Sequence, residues 1–589
     1  MENGGSLWTK RDDSAYKVLI YRRGGAMWTT PPIMGQYTLT SPLQGRESTS
    51  PPTEHPQESV VRSATRVSLA VFLSRVTGLA REMVMARLFG AGFIYDAFLL
   101  GFRIPNLTRD LFAEGALSSA FVPTFTATLA RKGKAEAAIL SNLVGTAIIG
   151  IVGLFCILGV IFAPALVELL APGFHQVPGK FALAVTMTRI MFPFLLLVAL
   201  AAQAMGMLNA CNRFGVPAMS STFFNIGSVG FGLVAGFLLG PYLHIDKITG
   251  MALGIVLGGA LQLVYQLPSL SELGFRFRPM VDWSNPELRQ IVQLMLPAII
   301  GSAAVQINVM VNTNFASRIP MNGPVSWLGY AFRFMQFPLG LFGVAIASAT
   351  LPSISRSAAV GNMDEYRRTL SRSLGMVFLL TLPSSIGLAL LGKSMIGAIY
   401  EGGRFSAYDT AQTAAALSCY AVGLTGYSAL KVIGPAFYAL NDARTPMLVS
   451  IASILVNYFA ASWMSARLGF AGLALSTSVV ALFGSLALFA ILRNRIHGVY
   501  GRDLASSILK IVAASAVMGA VVWGADGLVT GHIGKGRIGD VSNLLISMPL
   551  GAIVFYLACR LLRVSELELA ARGVSSSLKS IYLRKITPN

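Results

Sequence analysis

Between Ser74 and Pro123 an apolar stretch carries Arg75, Arg81, Glu82, Arg87, Asp96, Arg103, Arg109, Asp110 and Glu114. Charges in such a setting are costly at bilayer depth, about 2.5–3.5 kcal/mol for an arginine on insertion scales. They are retained where they face a bundle interior or a water-filled cavity. Arginine presents a planar donor fork suited to phosphate and carboxylate. Cations turned into a membrane cavity therefore point to an anionic passenger. Arg75 and Arg81 stand six residues apart, about 240° around a straight helix, so a bend at Gly78 is needed to bring them together. Arg103 and Arg109 repeat this spacing around Pro105. The second half of the chain offers fewer such groups, Arg333 and Lys431.

The reading assigns Arg75, Arg81, Arg109, Arg333 and Lys431 to substrate binding. Asp96, Glu114, Glu82 and Arg103 are assigned to gate or scaffold pairs, because an unpaired acid would repel an anion. Arg81 with Glu114 is one local pair the pattern allows. For Arg87, Arg103 and Asp110, facing the cavity and pairing locally stand as equal alternatives.

The elements that must position these groups are membrane helices. The chain is 54% hydrophobic and 12% charged, against about 25% charged residues in soluble domains. A span needs about 20 mostly apolar residues, and by that rule about fourteen fit between residues 64 and 562. The fold expected is an all-α polytopic membrane protein. Several spans are broken by prolines, at 105, 193, 297, 338, 383 and 435. Such breaks are tolerated in membranes where neighbours or cavity water satisfy the freed carbonyl.

The net charge of +20 fits lysine and arginine held in cytoplasmic loops better than nucleic-acid binding, for which no basic run with interleaved aromatics exists. One alternate set of loops holds Arg131, Lys132 and Lys134, then Arg276, Arg278 and Arg289, then Arg356, Arg367, Arg368 and Arg372, and further arginines beyond; the other set holds roughly half as many. The excess puts the first set, and both termini, in the cytoplasm.

The chain also repeats. Phe102-Arg103 is matched by Phe332-Arg333 at an offset of 230, and Asn212–Pro217 by Asn441–Pro446 at 229. An offset spanning an even number of helices gives parallel repeats, which in transporters sandwich a central site. The expected organisation is a disordered extension (1–60), an N-lobe of six helices (61–272), a C-lobe of six (273–500), two extra helices (501–563) and a cytoplasmic tail (564–589). Glycines at 232, 236 and 240, and at 250, 254 and 258, predict close helix packing.

Four scattered cysteines and five histidines lack disulfide or ligand spacing, and no GxSxG or HExxH motif occurs. No metal and no resident cofactor is expected, and the chain reads as a transporter, not an enzyme. Residues 1–60 lack the apolar core of a signal peptide.

The stretch SRVTGLAREMVMARLFGAG…DAFLLGFRIPNLTRDLFAEGALSSAFVP resembles the signature of the MurJ (MviN) lipid II flippases, within the multidrug/oligosaccharidyl-lipid/polysaccharide exporter superfamily. The likeness continues through APGF (171–174), LNACNRFGVPA (208–218), LVYQLP (263–268), residues 325–353 and KVIGPAFYALNDARTP (431–446). It implies fourteen helices in the bacterial inner membrane, with two lobes around a cationic cavity. It implies transfer of the undecaprenyl-diphosphate-linked peptidoglycan precursor to the periplasmic leaflet. Carried over residue by residue, it gives roles in activity to Arg75, Arg81, Asp96, Arg109 and Arg333, and a lipid-tail groove to residues 504–562. Phe332 and Gln336 stand where relatives often have acids, which puts in doubt any ion coupling through them. The expected partners are lipid II, membrane lipids and cell-wall synthesis or division proteins, with the chain a monomer driven by the membrane potential or a coupling ion. The rival readings are a polysaccharide-lipid flippase or drug antiporter of the same superfamily, a polyprenyl-linked glycosyltransferase, and a division scaffold.

Overall fold

A computed structural model describes residues 56–109, 117–499, 501–534 and 536–568. The expectations for residues 1–55, Asp110, Glu114 and the tail beyond 568 lie outside these. Contacts divide the chain between Glu58 and Ser59. Of the first unit only Pro56–Glu58 is described, as the opening of a helix; all that follows concerns the second.

The described residues are helical, with one isolated bridge between Gly402 and Phe405. Helices satisfy every backbone group internally, as a chain in lipid must. Helix α1 (Pro56–Phe89) turns at Gly90 (φ 69°) into α2 (Phe93–Arg109). Helix α3 (Ser118–Ile161) is two helices joined at Gly133 (φ 85°). A short α4 (Ala163–Leu170) leads to α5 (Lys180–Met191) and α6 (Phe194–Ala210), one path broken at Pro193. Helix α7 (Gly215–Leu233) ends in a π turn, followed by the one-turn α8 (Gly240–Leu243), then α9 (Lys247–Val264) and α10 (Leu267–Glu272).

The second half opens with α11 (Pro286–Ser317). Helix α12 (Pro324–Pro338) passes through a π turn (Leu339–Val344) into α13 (Ala345–Val360). The π turn begins next to Pro338, whose missing N–H removes a helical hydrogen bond. Next come α14 (Met363–Tyr400), α15 (Ala407–Ala439) and α16 (Arg444–Arg495), the last being two helices joined at Gly469 (φ 60°). Helices α17 (Gly501–Ile533) and α18 (Arg537–Leu561) complete the order.

Ten helical stretches among the described residues are long and apolar enough to cross a membrane, α3 and α16 each counting once. The sequence reading expected about fourteen spans; α3 and α16 each bend at a positive-φ glycine, and the more highly charged α1 and α11 are not among the ten.

The glycine stripes face each other across α7 and α9. A Cβ on Gly254 would meet the Gly232 backbone, and one on Gly250 would overlap the backbone of Gly236. Backbone-to-backbone approach of this kind leaves no room for a side chain. Gly250→Val is expected to destabilise the protein by about 1–3 kcal/mol, the usual cost of overpacking. A lowered unfolding midpoint in detergent checks this, with Gly387→Ala, whose Cβ meets nothing within 4 Å, as the neutral control.

The two matched loops also share one backbone geometry. Asn212 and Asn441 both take left-handed conformations (φ 59° and 57°). In each loop the asparagine N–H bonds back three residues, at 3.0 Å, and the next N–H bonds back five, at 2.8 and 3.0 Å. Asparagine tolerates this region better than most residues. Asp442 additionally accepts from the Thr445 hydroxyl (2.7 Å) and backbone N–H (3.1 Å) and pairs with Arg495. Those bonds hold its carboxyl below the usual carboxylate range, the Thr445 hydroxyl contributing most.

Candidate functional site

Arg81 and Glu82 lie on α1 and Arg333 lies on α12, so this cluster joins the two halves of the chain. Arg333 pairs with Glu82 (NH1 to Oε1, 2.5 Å), and the Arg81 guanidinium is 3.9 Å from the same oxygen. The Tyr400 hydroxyl donates to the other carboxylate oxygen at 3.1 Å. Arg81 also lies over the Phe224 ring, 5.3 Å from its centroid. The Glu82 side chain is 7% exposed whereas that of Arg333 is 48% exposed. The acid is thus enclosed while the Arg333 side chain stays partly open to solvent.

A cavity of about 30 Å³ adjoins the cluster, lined by Arg81, Glu82, Tyr95, Phe102, Ser228 and Arg333 among others. That is room for a couple of waters.

The other predicted residues fall into place around it. Arg75 is exposed on α1, with its guanidinium beside Gly340 in the π turn after α12. Arg103 donates to the Thr313 hydroxyl of α11 at 2.7 Å. Arg109 is half-buried at the end of α2. Lys431 is exposed on α15 and does not line the cavity. Glu82, expected as a gate or scaffold residue, is the shared counter-ion of Arg81 and Arg333. Arg87 has Nε and NH2 buried without a hydrogen-bond partner among the described residues.

Asp96 makes the tightest junction between the halves. It is fully buried and accepts Lys180 Nζ (2.8 Å), Gly323 N–H (2.8 Å), Ser326 N–H (2.9 Å) and the Ser326 hydroxyl (2.5 Å). Gly323 precedes α12, so Asp96 caps the start of a helix 227 residues away. A carboxylate there satisfies orphan N–H groups and complements the helix dipole. Lys180 is 2% exposed and also reaches Asn322 Oδ1 (3.3 Å) and the Phe174 ring. Lys180 opens α5, directly after Gly179 (φ 80°).

Further contacts close this same end of the molecule. Arg404 N–H donates to the Arg87 carbonyl (2.9 Å), Asn314 to the Leu169 carbonyl (2.8 Å), and Tyr95 stacks on Tyr330 at 5.3 Å. Trp327 is held by its Nε1–H on Asp409 (2.9 Å), itself part of a capping box with Ser406. The end bearing residues 90–92, 171–179, 318–323 and 401–406 is therefore latched by charge, backbone and aromatic contacts together.

The arrangement suits reversible anion capture. Two arginine forks converge on one carboxylate, and an incoming phosphate can exchange with that carboxylate without leaving either cation unpaired.

Residues 85–538 match the family described as lipid II flippase MurJ. The chain is 34% identical over 472 residues to the lipid II flippase MurJ of Burkholderia cenocepacia, covering 79% of this chain and 90% of that one. It is 35% identical over 471 residues to the probable lipid II flippase MurJ of Rhizobium meliloti, covering 79% and 86%. Among solved structures it is similar to a lipid II flippase MurJ in an inward closed conformation (TM-score 0.69, 25% identity, 84% of this chain and 98% of that chain). It shares its fold with an inward-facing multidrug resistance MATE family transporter (TM-score 0.55, 15% identity, 74% and 94%).

Proposed function

The chain belongs to the lipid II flippase MurJ family, and from that premise we propose that it moves lipid II across the inner membrane by alternating access. It is a multi-pass membrane transporter, not an enzyme. The observation that carries the assignment of roles is the cluster in which Arg333 and Arg81 share Glu82 across the two halves, with Arg333 at 2.5 Å.

In this reading the lobes are residues 61–272 and 273–500, with both termini in the cytoplasm. The latched end then faces the periplasm, and headgroups enter from the cytoplasmic side. The diphosphate of lipid II takes Arg333 and Arg81, and Arg75 and Arg109 extend the cationic path. Glu82 keeps the Tyr400 hydroxyl as its donor while the anion takes the two guanidinium groups. The polyprenyl tail stays in lipid along α17 and α18 (residues 504–562). Rocking of the lobes breaks the Asp96 latch and opens the periplasmic side. The field supplies about 2.3 kcal/mol per charge per 100 mV, so the membrane potential, or a coupling ion, resets the empty cationic carrier. The chain works as a monomer beside cell-wall synthesis proteins.

Complementation of a flippase-depleted strain tests the roles. Arg81→Ala and Arg333→Ala are each expected to fail at normal expression, and Arg75→Ala to rescue poorly. Full rescue by all three would overturn the assignment. Accumulation of lipid II on depletion separates this function from transport of another polysaccharide lipid.

A further inference from the structure

The first half carries a second recess that shares no residue with the arginine cavity. It opens where α3 meets the break between α5 and α6. Ile149, Gly153, Ile157, Val160, Pro193 and Leu196 are among its lining residues, and its volume is about 640 Å³.

The sequence explains why the space exists. Pro193 has no N–H to give, and the Leu196 and Leu197 N–H groups both reach back to its carbonyl, at 3.2 and 3.5 Å. The Cys156 thiol donates to the Phe192 carbonyl at 3.5 Å. Across from this break α3 offers glycines: a side chain at Gly150 would meet nothing within 4 Å, and one at Gly153 only Leu196. Both walls belong to stretches apolar enough to cross a membrane, Ser118–Ile161 and Lys180–Ala210. Water has no polar partners in such a recess; a hydrocarbon chain fits it.

One rim carries a cation. Arg189 on α5 is exposed and donates its Nε–H to the Val160 carbonyl at 3.3 Å, which holds the guanidinium at the recess. No carboxylate pairs with it among the described residues. An arginine on the lipid side of a span is costly unless an anion meets it. We infer that the recess and Arg189 form a seat for an anionic bilayer phospholipid, one acyl chain lying between α3 and Pro193 and the phosphate on the guanidinium.

The test uses the purified full-length chain with phosphatidylglycerol and phosphatidylcholine of matched acyl chains, each carrying a photoactivatable group on the chain. Phosphatidylglycerol is expected to label residues 149–161 more strongly than phosphatidylcholine. Arg189→Gln should lower that labelling about fivefold, to the phosphatidylcholine level, the worth of one basic group at an anionic lipid surface. Arg189→Lys should keep most of it, and Gly153→Leu should lower labelling by both lipids. Each variant is compared at an unfolding midpoint matching wild type; should Arg189→Gln unfold, the lysine and leucine variants carry the test. Wild-type labelling of Arg189→Gln or of Gly153→Leu would overturn the proposal. So would displacement of phosphatidylglycerol by polyprenyl phosphate at concentrations where added phosphatidylglycerol fails, since the recess would then belong to the transported lipid.

Discussion

Asp96→Ala is expected to unlatch the closed end and abolish complementation. The substitution strands the Lys180 ammonium, which is 2% exposed, in a site with no other carboxylate at hydrogen-bond distance among the described residues. Breaking a buried pair by removing one partner costs about 3–5 kcal/mol. The start of α12 also loses its cap, worth about 1 kcal/mol. Together these exceed the few kcal/mol that typically separate two conformers, so the closed state should cease to dominate. Labelling of single cysteines near Gly92 and Asn322 by a membrane-impermeant maleimide checks this, with fast labelling expected in Asp96→Ala. Adding Lys180→Met should restore stability, because a pair replaced by apolar groups is often neutral. The double variant should still fail to complement, since Gly323 and Ser326 remain without their acceptor. Wild-type labelling with full complementation by Asp96→Ala would contradict the latch.

The second large effect lies at Glu82. If this carboxylate is the internal stand-in for the substrate's phosphate, removing its charge removes a competitor. Glu82→Gln should then bind a polyprenyl-diphosphate probe more tightly, roughly tenfold, while transport falls because the cations no longer have a partner to return to. Arg333→Ala should weaken the same binding by about 1.5–3 kcal/mol, the worth of a hydrogen bond to a charged group. Titration of a fluorescent polyprenyl diphosphate in detergent measures both. Unchanged affinity in both variants would rule out the exchange of partners.

Much of this was legible before any coordinates. Arginines in an apolar stretch announce a protected polar path, and the glycine stripes at 232–240 and 250–258 announce a close helix pair, because both follow from the cost of lipid as a solvent. The Asn212 and Asn441 loops were legible as a match of residue types, and their shared left-handed geometry follows from asparagine's tolerance for it. What escaped was whatever depends on partners distant in the chain. Two of the four donors to Asp96 are backbone N–H groups, at residues 323 and 326, and backbone donors leave no mark in residue type. Lys180 follows a turn glycine and reads as a loop cation; its burial comes from α2 and the α11–α12 loop closing over it. Glu82 adjoins Arg81 in sequence, yet its shortest ion pair is with Arg333, 251 residues on. Lys431 is exposed on α15, away from the residues that line the small arginine cavity. A cation in an apolar helix announces a polar environment, but the face it takes is set by neighbouring helices that the spacing does not name.

The most direct test is translocation of lipid II by the purified protein in sealed vesicles, wild type against Arg81→Ala/Arg333→Ala at matched folding and incorporation. The account predicts flipping by wild type and none above empty vesicles by the double variant. Equal rates from the two proteins would mean that these guanidinium groups do not carry the headgroup.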